Sequence, residues 1–163
     1  MPTLLIVYHS ATGGTRQMAR AAADGAGEQA GTTTHLLHAA EAGPADLLAA
    51  DAYLFAAPEN LASLAGVMKD FLDRSYYPVL DRLNGRPYAA MICAGSDGQG
   101  AARQLARIAT GWRLRPVADP LIILTRAQTP EAILAPKTIP PADLVRCHEL
   151  GAALAAGLAL GVF

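Results

Sequence analysis

The sequence is poor in residues that staple, ligate or stack. Its two cysteines, Cys93 and Cys147, lie far apart and form neither a CxxC pair nor a ligand cluster with the four histidines. That pattern excludes a disulfide framework and gives no reason to expect a metal site. Aromatic residues make up only 6% of the chain, with a single tryptophan, so the core must be built from many small contacts. Net charge is also lacking: 13 Lys and Arg against 14 Asp and Glu leave −1. With no basic excess to neutralise a phosphate backbone, no nucleic-acid partner is expected. There is no acidic field to steer basic partners either. Long apolar runs are missing as well. The opening MPTLLIVYHS has no basic n-region and does not read as a signal peptide, and the apolar end Leu150–Phe163 is too short to span a bilayer. No membrane partner is expected, and the cytoplasm is the expected compartment.

What is present is an ordered chain. Apolar residues reach 52%, charged residues 17%, and mean hydropathy is +0.24. That is ample apolar surface to bury. The 163 residues suit one domain, 1–163. TLLIVY (3–8) is a continuous β-branched run, as in a strand covered on both faces. From Thr15 the period becomes helical, with Met18, Ala19, Ala22 and Ala26 on one stripe. Further strands are expected at Thr32–Leu37, Ala52–Ala57, Tyr88–Ala94 and Leu121–Leu124. Helices are expected at Pro44–Ala50, around Leu64–Leu72, at Ala101–Trp112 and from Ala142 onward. The proline-rich connector Arg126–Pro141 has no legible role: a lid, a dimer arm or plain linkage all fit it.

Strand–helix alternation implies a parallel sheet with helices on both faces. In such sheets ligands bind beyond the carboxyl ends of the strands. Three loops leave those ends, at His9–Thr15, Pro58–Ser63 and Ala94–Gly100, and all are rich in small, polar or glycine residues. The first contains Ser10, Ala11, Thr12, Gly13, Gly14 and Thr15, between a strand and a helix. A helix N-terminus offers unpaired N–H groups and partial positive charge to an anion. The hydroxyls add neutral donors, and the glycines let the backbone come close. A helix cap needs only one such hydroxyl. Three hydroxyls with two glycines exceed that need and point to a phosphate.

Other phosphate loops are excluded. There is no GxxxxGK[ST] and no GxGxxG. No cysteine is available in the loop as a phosphatase nucleophile, and the third strand ends in Ala57 and Pro58 where a phospho-receiver needs aspartate.

Ser10, Thr12, Gly13 and Thr15 match the [ST]-x-T-G-x-T loop of the flavodoxin-like superfamily, which this sequence resembles. The segment APENLASLAGVMKDFLDR resembles its NAD(P)H-dependent flavin and quinone reductases through Pro58, Lys69, Phe71, Leu72 and Asp73. AGSDGQG (94–100) resembles their glycine-rich loop. The resemblance implies an α/β, doubly wound, five-stranded parallel sheet of order 2-1-3-4-5 with helices on both faces. It implies noncovalently bound FMN, with phosphate on residues 10–15. The ring would lie between Pro58, Glu59, Asn60, Leu61, Ala62 and Ser63 on one side and Gly95, Ser96, Asp97, Gly98 and Gly100 on the other. NAD(P)H and a small-molecule acceptor, a quinone or another flavin, would be the partners. No side chain is assigned as catalytic. A homo-oligomer is expected in so far as related reductases complete an open flavin site with a neighbouring subunit.

Neither ring loop carries an aromatic residue and the chain is not acidic, which argues against a dedicated electron carrier. A carrier and a flavin-free scaffold remain the rival readings. Glu59 either disfavours negative charge on a nearby flavin or points to solvent. His9 is expected to serve strand-end hydrogen bonding, Asp97 to form a turn, Tyr76 and Tyr77 to pack on the sheet edge, and Trp112 to pack in the core. Cys93 is expected to be buried and inert.

Overall fold

The computed structural model describes residues 1–163. Its centre is a parallel sheet formed by β1 (Thr3–Tyr8), β2 (Thr33–His38), β3 (Ala52–Asn60) and β5 (Pro87–Ala94), closed at one edge by β6 (Arg115–Pro116) and β7 (Leu121–Leu124). β1 lies between β2 and β3, and β3 lies between β1 and β5. With β7 as the fifth strand, the order is the expected 2-1-3-4-5. The edge strand comes in two pieces: β6 pairs Pro87 and Tyr88, and β7 pairs Met91–Ala94. The short β6 was not legible in the sequence.

Alternation along the central strands splits the core in two. Tyr53, Phe55 and Ala57 face one layer, together with α2 (Pro44–Ala49), α3 (Gly66–Val79) and α4 (Gln99–Gly111). Leu54 and Ala56 face the other, with α1 (Gly14–Gly27) and α6 (Pro141–Ala159). This is why the strands read as unbroken apolar runs. The many alanines find their use between α1 and α6. A Cβ on Gly151 would sit 1.9 Å from the Ala22 carbonyl oxygen, and one on Gly25 would sit 2.1 Å from that of His148. The two helices therefore cross in backbone contact, which larger residues would prevent.

Long side chains close the fold at its edges. Arg86 donates to the carbonyls of Leu47, Leu48 and Ala50, at the end of α2, and to the Tyr53 hydroxyl. Trp112 is packed against Phe55, as expected. Tyr76 and Tyr77 are not buried on the sheet edge: they stack on each other, 41% and 80% exposed, on the outer surface of α3. The third strand also runs past its expected end at Ala57. Proline's fixed φ fits an extended strand, and the Pro58 carbonyl accepts from Ala65 N–H. The connector is not featureless either. It holds α5 (Pro130–Leu134), capped by the Thr129 hydroxyl, which accepts from Ala132 N–H. No helix is long and apolar enough to cross a membrane.

Candidate functional site

β1 delivers the first loop to the start of α1. Gly13 turns the chain there with φ of 95°, a left-handed conformation that glycine adopts without strain. The Ser10 hydroxyl accepts from Gly13 N–H, fixing the loop. No side chain caps α1, so none of the three hydroxyls serves as a helix cap. The N–H groups of Ala11, Thr12, Gly14, Thr15 and Arg16 have no intramolecular partner. Such a row of free amides at a helix N-terminus is a ready site for an oxyanion. Gly14 cannot be enlarged, because a Cβ would lie 2.8 Å from the Cys93 sulfur. Thr15 is 2% exposed.

The second loop is a hairpin rather than an open loop. After Pro58 the chain pairs antiparallel with β4 (Ser63–Leu64), joining Glu59 to Leu64 and Asn60 to Ser63. The turn residues Leu61 and Ala62 both have positive φ, 52° and 64°. That geometry belongs to a tight hairpin turn usually made with Asn-Gly. Holding two L-residues there costs about 1–2 kcal/mol each. The hairpin is secured by α4. The Glu59 carboxylate accepts from Gly98 N–H at 2.9 Å and Ala101 N–H at 3.0 Å. Gln104 accepts from Ser63 Oγ at 2.8 Å and Leu64 N–H at 2.7 Å. Gly100 lies against the turn so closely that a Cβ would be 2.1 Å from the Ala62 carbonyl oxygen. Glu59 therefore does what neither sequence reading foresaw: it caps α4 and joins the second loop to the third.

Between these loops lies a groove of about 590 Å³, lined by Thr12, Pro58, Glu59, Asn60, Leu61, Ala62, Gly95 and Ser96 among the expected residues. A recess of about 220 Å³ continues it to Ser10, Ala11, Gly14 and Thr15. Ser63, Asp97, Gly98 and Gly100 do not line the groove; they shape it from behind. Asp97 makes the expected turn contact, accepting from Gln99 N–H at 3.4 Å. Cys93 does line the groove, at its floor, 7% exposed, with burial pushing its thiol pKa up.

The opposite side of the groove is formed by Thr125 and by the connector residues Ala127, Gln128, Ile133 and Lys137, none of them expected from the sequence. A histidine pair, His9 and His38, also lies beside the first loop. Ala40 N–H donates to His38 Nδ1, so His38 Nε2 bears the proton and donates to His9 Nδ1 at 3.2 Å. Burial first, and the Coulombic effect of the neighbouring His38 second, hold the His9 pKa below its ordinary 6.5.

A family model described as NADPH-dependent FMN reductase matches residues 39–129, more than half of the chain. The chain belongs to this family. Its match spans the second and third loops, and FMN is the family's cofactor. The free amides of Ala11, Thr12, Gly14, Thr15 and Arg16, and the groove running from them, fit a phosphate joined to a flat ring system. A flavodoxin from Aquifex aeolicus is 32% identical over 100 residues, covering 61% of this chain and 54% of that protein. The chain thus aligns with about half the length of that curated relative. Among solved structures, a flavodoxin from the domain Archaea superposes with a TM-score of 0.77 at 18% identity, covering 96% of this chain and 98% of that one. A WrbA-like flavodoxin from Agrobacterium tumefaciens gives 0.70 at 23%, covering 99% of both. These structures establish the flavodoxin-like fold.

Proposed function

We propose that the chain, acting as one domain, is an oxidoreductase of the cytoplasm that uses FMN to pass hydride from NADPH or NADH to a small acceptor such as a quinone or a second flavin. The observation that carries this reading is a groove that begins at free helix-N-terminal amides and is lined by no aromatic residue. When bound, FMN supplies the two-electron chemistry. The protein's part is holding and shaping. The free amides of Ala11, Thr12, Gly14, Thr15 and Arg16 bind the phosphate. Asn60, Leu61 and Ala62 form one wall against the ring, and Gly95 and Ser96 the other. With no side-chain ring stacked over it, one face of the flavin stays open to a second planar substrate. Glu59, the one carboxylate lining the groove, is held by two amides and takes no part as acid or base.

Anaerobic addition of NADPH to the FMN-loaded protein tests this. Loss of the 450-nm-region flavin band within the mixing time of a bench experiment supports the reductase. The match to a protein named flavodoxin favours one alternative, a carrier reduced only by a partner protein. A flavin that stays oxidised with either nicotinamide, yet bleaches when a flavodoxin reductase is added, decides for the carrier.

A further inference from the structure

The phosphate loop contains no lysine, but the fold brings one to it. Lys137 lies on the connector, 125 residues along the chain from Thr12, and its ammonium is 3.3 Å from the Thr12 hydroxyl. This position is fixed by the backbone. Lys137 N–H donates to the Thr12 carbonyl at 2.8 Å. Gln17 Nε2 donates to the Lys137 carbonyl at 2.7 Å, and Gln17 Oε1 accepts from Ile139 N–H at 3.0 Å. Ile139 is 2% exposed and anchors this stretch beside Gly14. The ammonium also donates to the carbonyls of Ile133 at 2.8 Å and Ala135 at 2.6 Å, so it holds the end of α5 over the groove.

We propose that Lys137 is the cationic partner of the FMN phosphate and sets the selectivity of the site for FMN over riboflavin. The proposal rests on the FMN reading above. A phosphate oxygen accepting from the Thr12 hydroxyl lies within about 6 Å of the ammonium, one hydrogen-bond length beyond the 3.3 Å already present. At that range a dianion gains about tenfold in affinity even at a water-like dielectric. A neutral ribityl hydroxyl in the same place gains almost nothing. Lys137, beyond residue 129 where the family model's match ends, thereby makes the connector part of the cofactor site.

The experiment is fluorescence titration of FMN and of riboflavin into the wild type, Lys137→Met and Lys137→Arg, at low and high salt. Lys69→Met serves as a charge control, since Lys69 pairs with Asp73 on α3. The expected result for Lys137→Met is FMN binding weakened about tenfold, with riboflavin changed less than twofold. Lys137→Arg restores the preference, Lys69→Met keeps it, and high salt brings the wild type toward the methionine variant. Equal loss for both flavins would mean that Lys137 only braces α5, and that overturns the proposal; so does undiminished FMN binding. A wild type that binds no FMN overturns the cofactor reading itself, and shows it before any variant is compared.

Discussion

Replacing Gly100 by alanine should damage the site although Gly100 does not itself line the groove. The added Cβ would lie 2.1 Å from the Ala62 carbonyl oxygen and 2.9 Å from its carbon. Ordinary carbon–oxygen contact is about 3.3–3.6 Å, so the hairpin turn must retreat by roughly 1.2 Å. That turn holds Leu61 and Ala62 in left-handed geometry, and α4 is what secures it. Overpacking of this kind costs about 1–3 kcal/mol, several degrees in Tm for a domain of this size. A gap of up to 1 Å forfeits a quarter to a half of each dispersion contact along the displaced wall. FMN affinity should therefore fall about tenfold, and far-ultraviolet circular dichroism should be unchanged. Gly27→Ala is the matched control, because nothing lies within 4 Å of its Cβ position. It should leave affinity alone and stabilise by up to about 1 kcal/mol. Calorimetry and flavin titration read both variants. A Gly100→Ala protein with wild-type Tm and affinity would refute the close approach of α4 to the hairpin.

Ser75 is fully buried and its hydroxyl has no partner; Ser75→Ala should raise stability by about 1 kcal/mol, and a fall in Tm would show that the hydroxyl is paired. Neither cysteine should react with iodoacetamide at pH 8 in the native protein: burial pushes Cys147 up to about 12 and raises Cys93, and rapid alkylation of either would contradict this. The histidine pair should make stability depend on pH. Unfolded His9 takes up its proton near 6.5 and folded His9 only below that, so the unfolded state binds more protons in between. Tm should decline as pH falls through that window, and His9→Gln should flatten the decline; an unchanged slope in the variant would remove His9 as its source.

The parts legible in sequence are those set by local pattern. TLLIVY announced a strand covered on both faces, and the hydroxyls and glycines of Ser10–Thr15 announced an anion loop at a helix start. What escaped depends on partners distant in the chain. Glu59 reaches amides 39 and 42 residues on, which no spacing rule links to it. Lys137 reaches across the whole doubly wound fold to Thr12. The 60–63 hairpin was hidden for another reason. Leu61-Ala62 carries none of the turn chemistry that normally marks positive φ, and its conformation is imposed by tertiary contact with Gly100 and Gln104. The role of Arg86 was hidden likewise, since a loop arginine that satisfies the carbonyls at the end of a distant helix looks in sequence like any surface arginine.

The most direct test is amide hydrogen exchange, read by mass spectrometry, with and without saturating FMN. If the groove holds the cofactor as described, protection rises in peptides covering 10–16, 58–64, 94–97 and the connector around 127–137. The outer face of α3 stays unchanged. Protection that leaves 10–16 untouched would contradict the phosphate site, and with it the account of how this chain holds FMN.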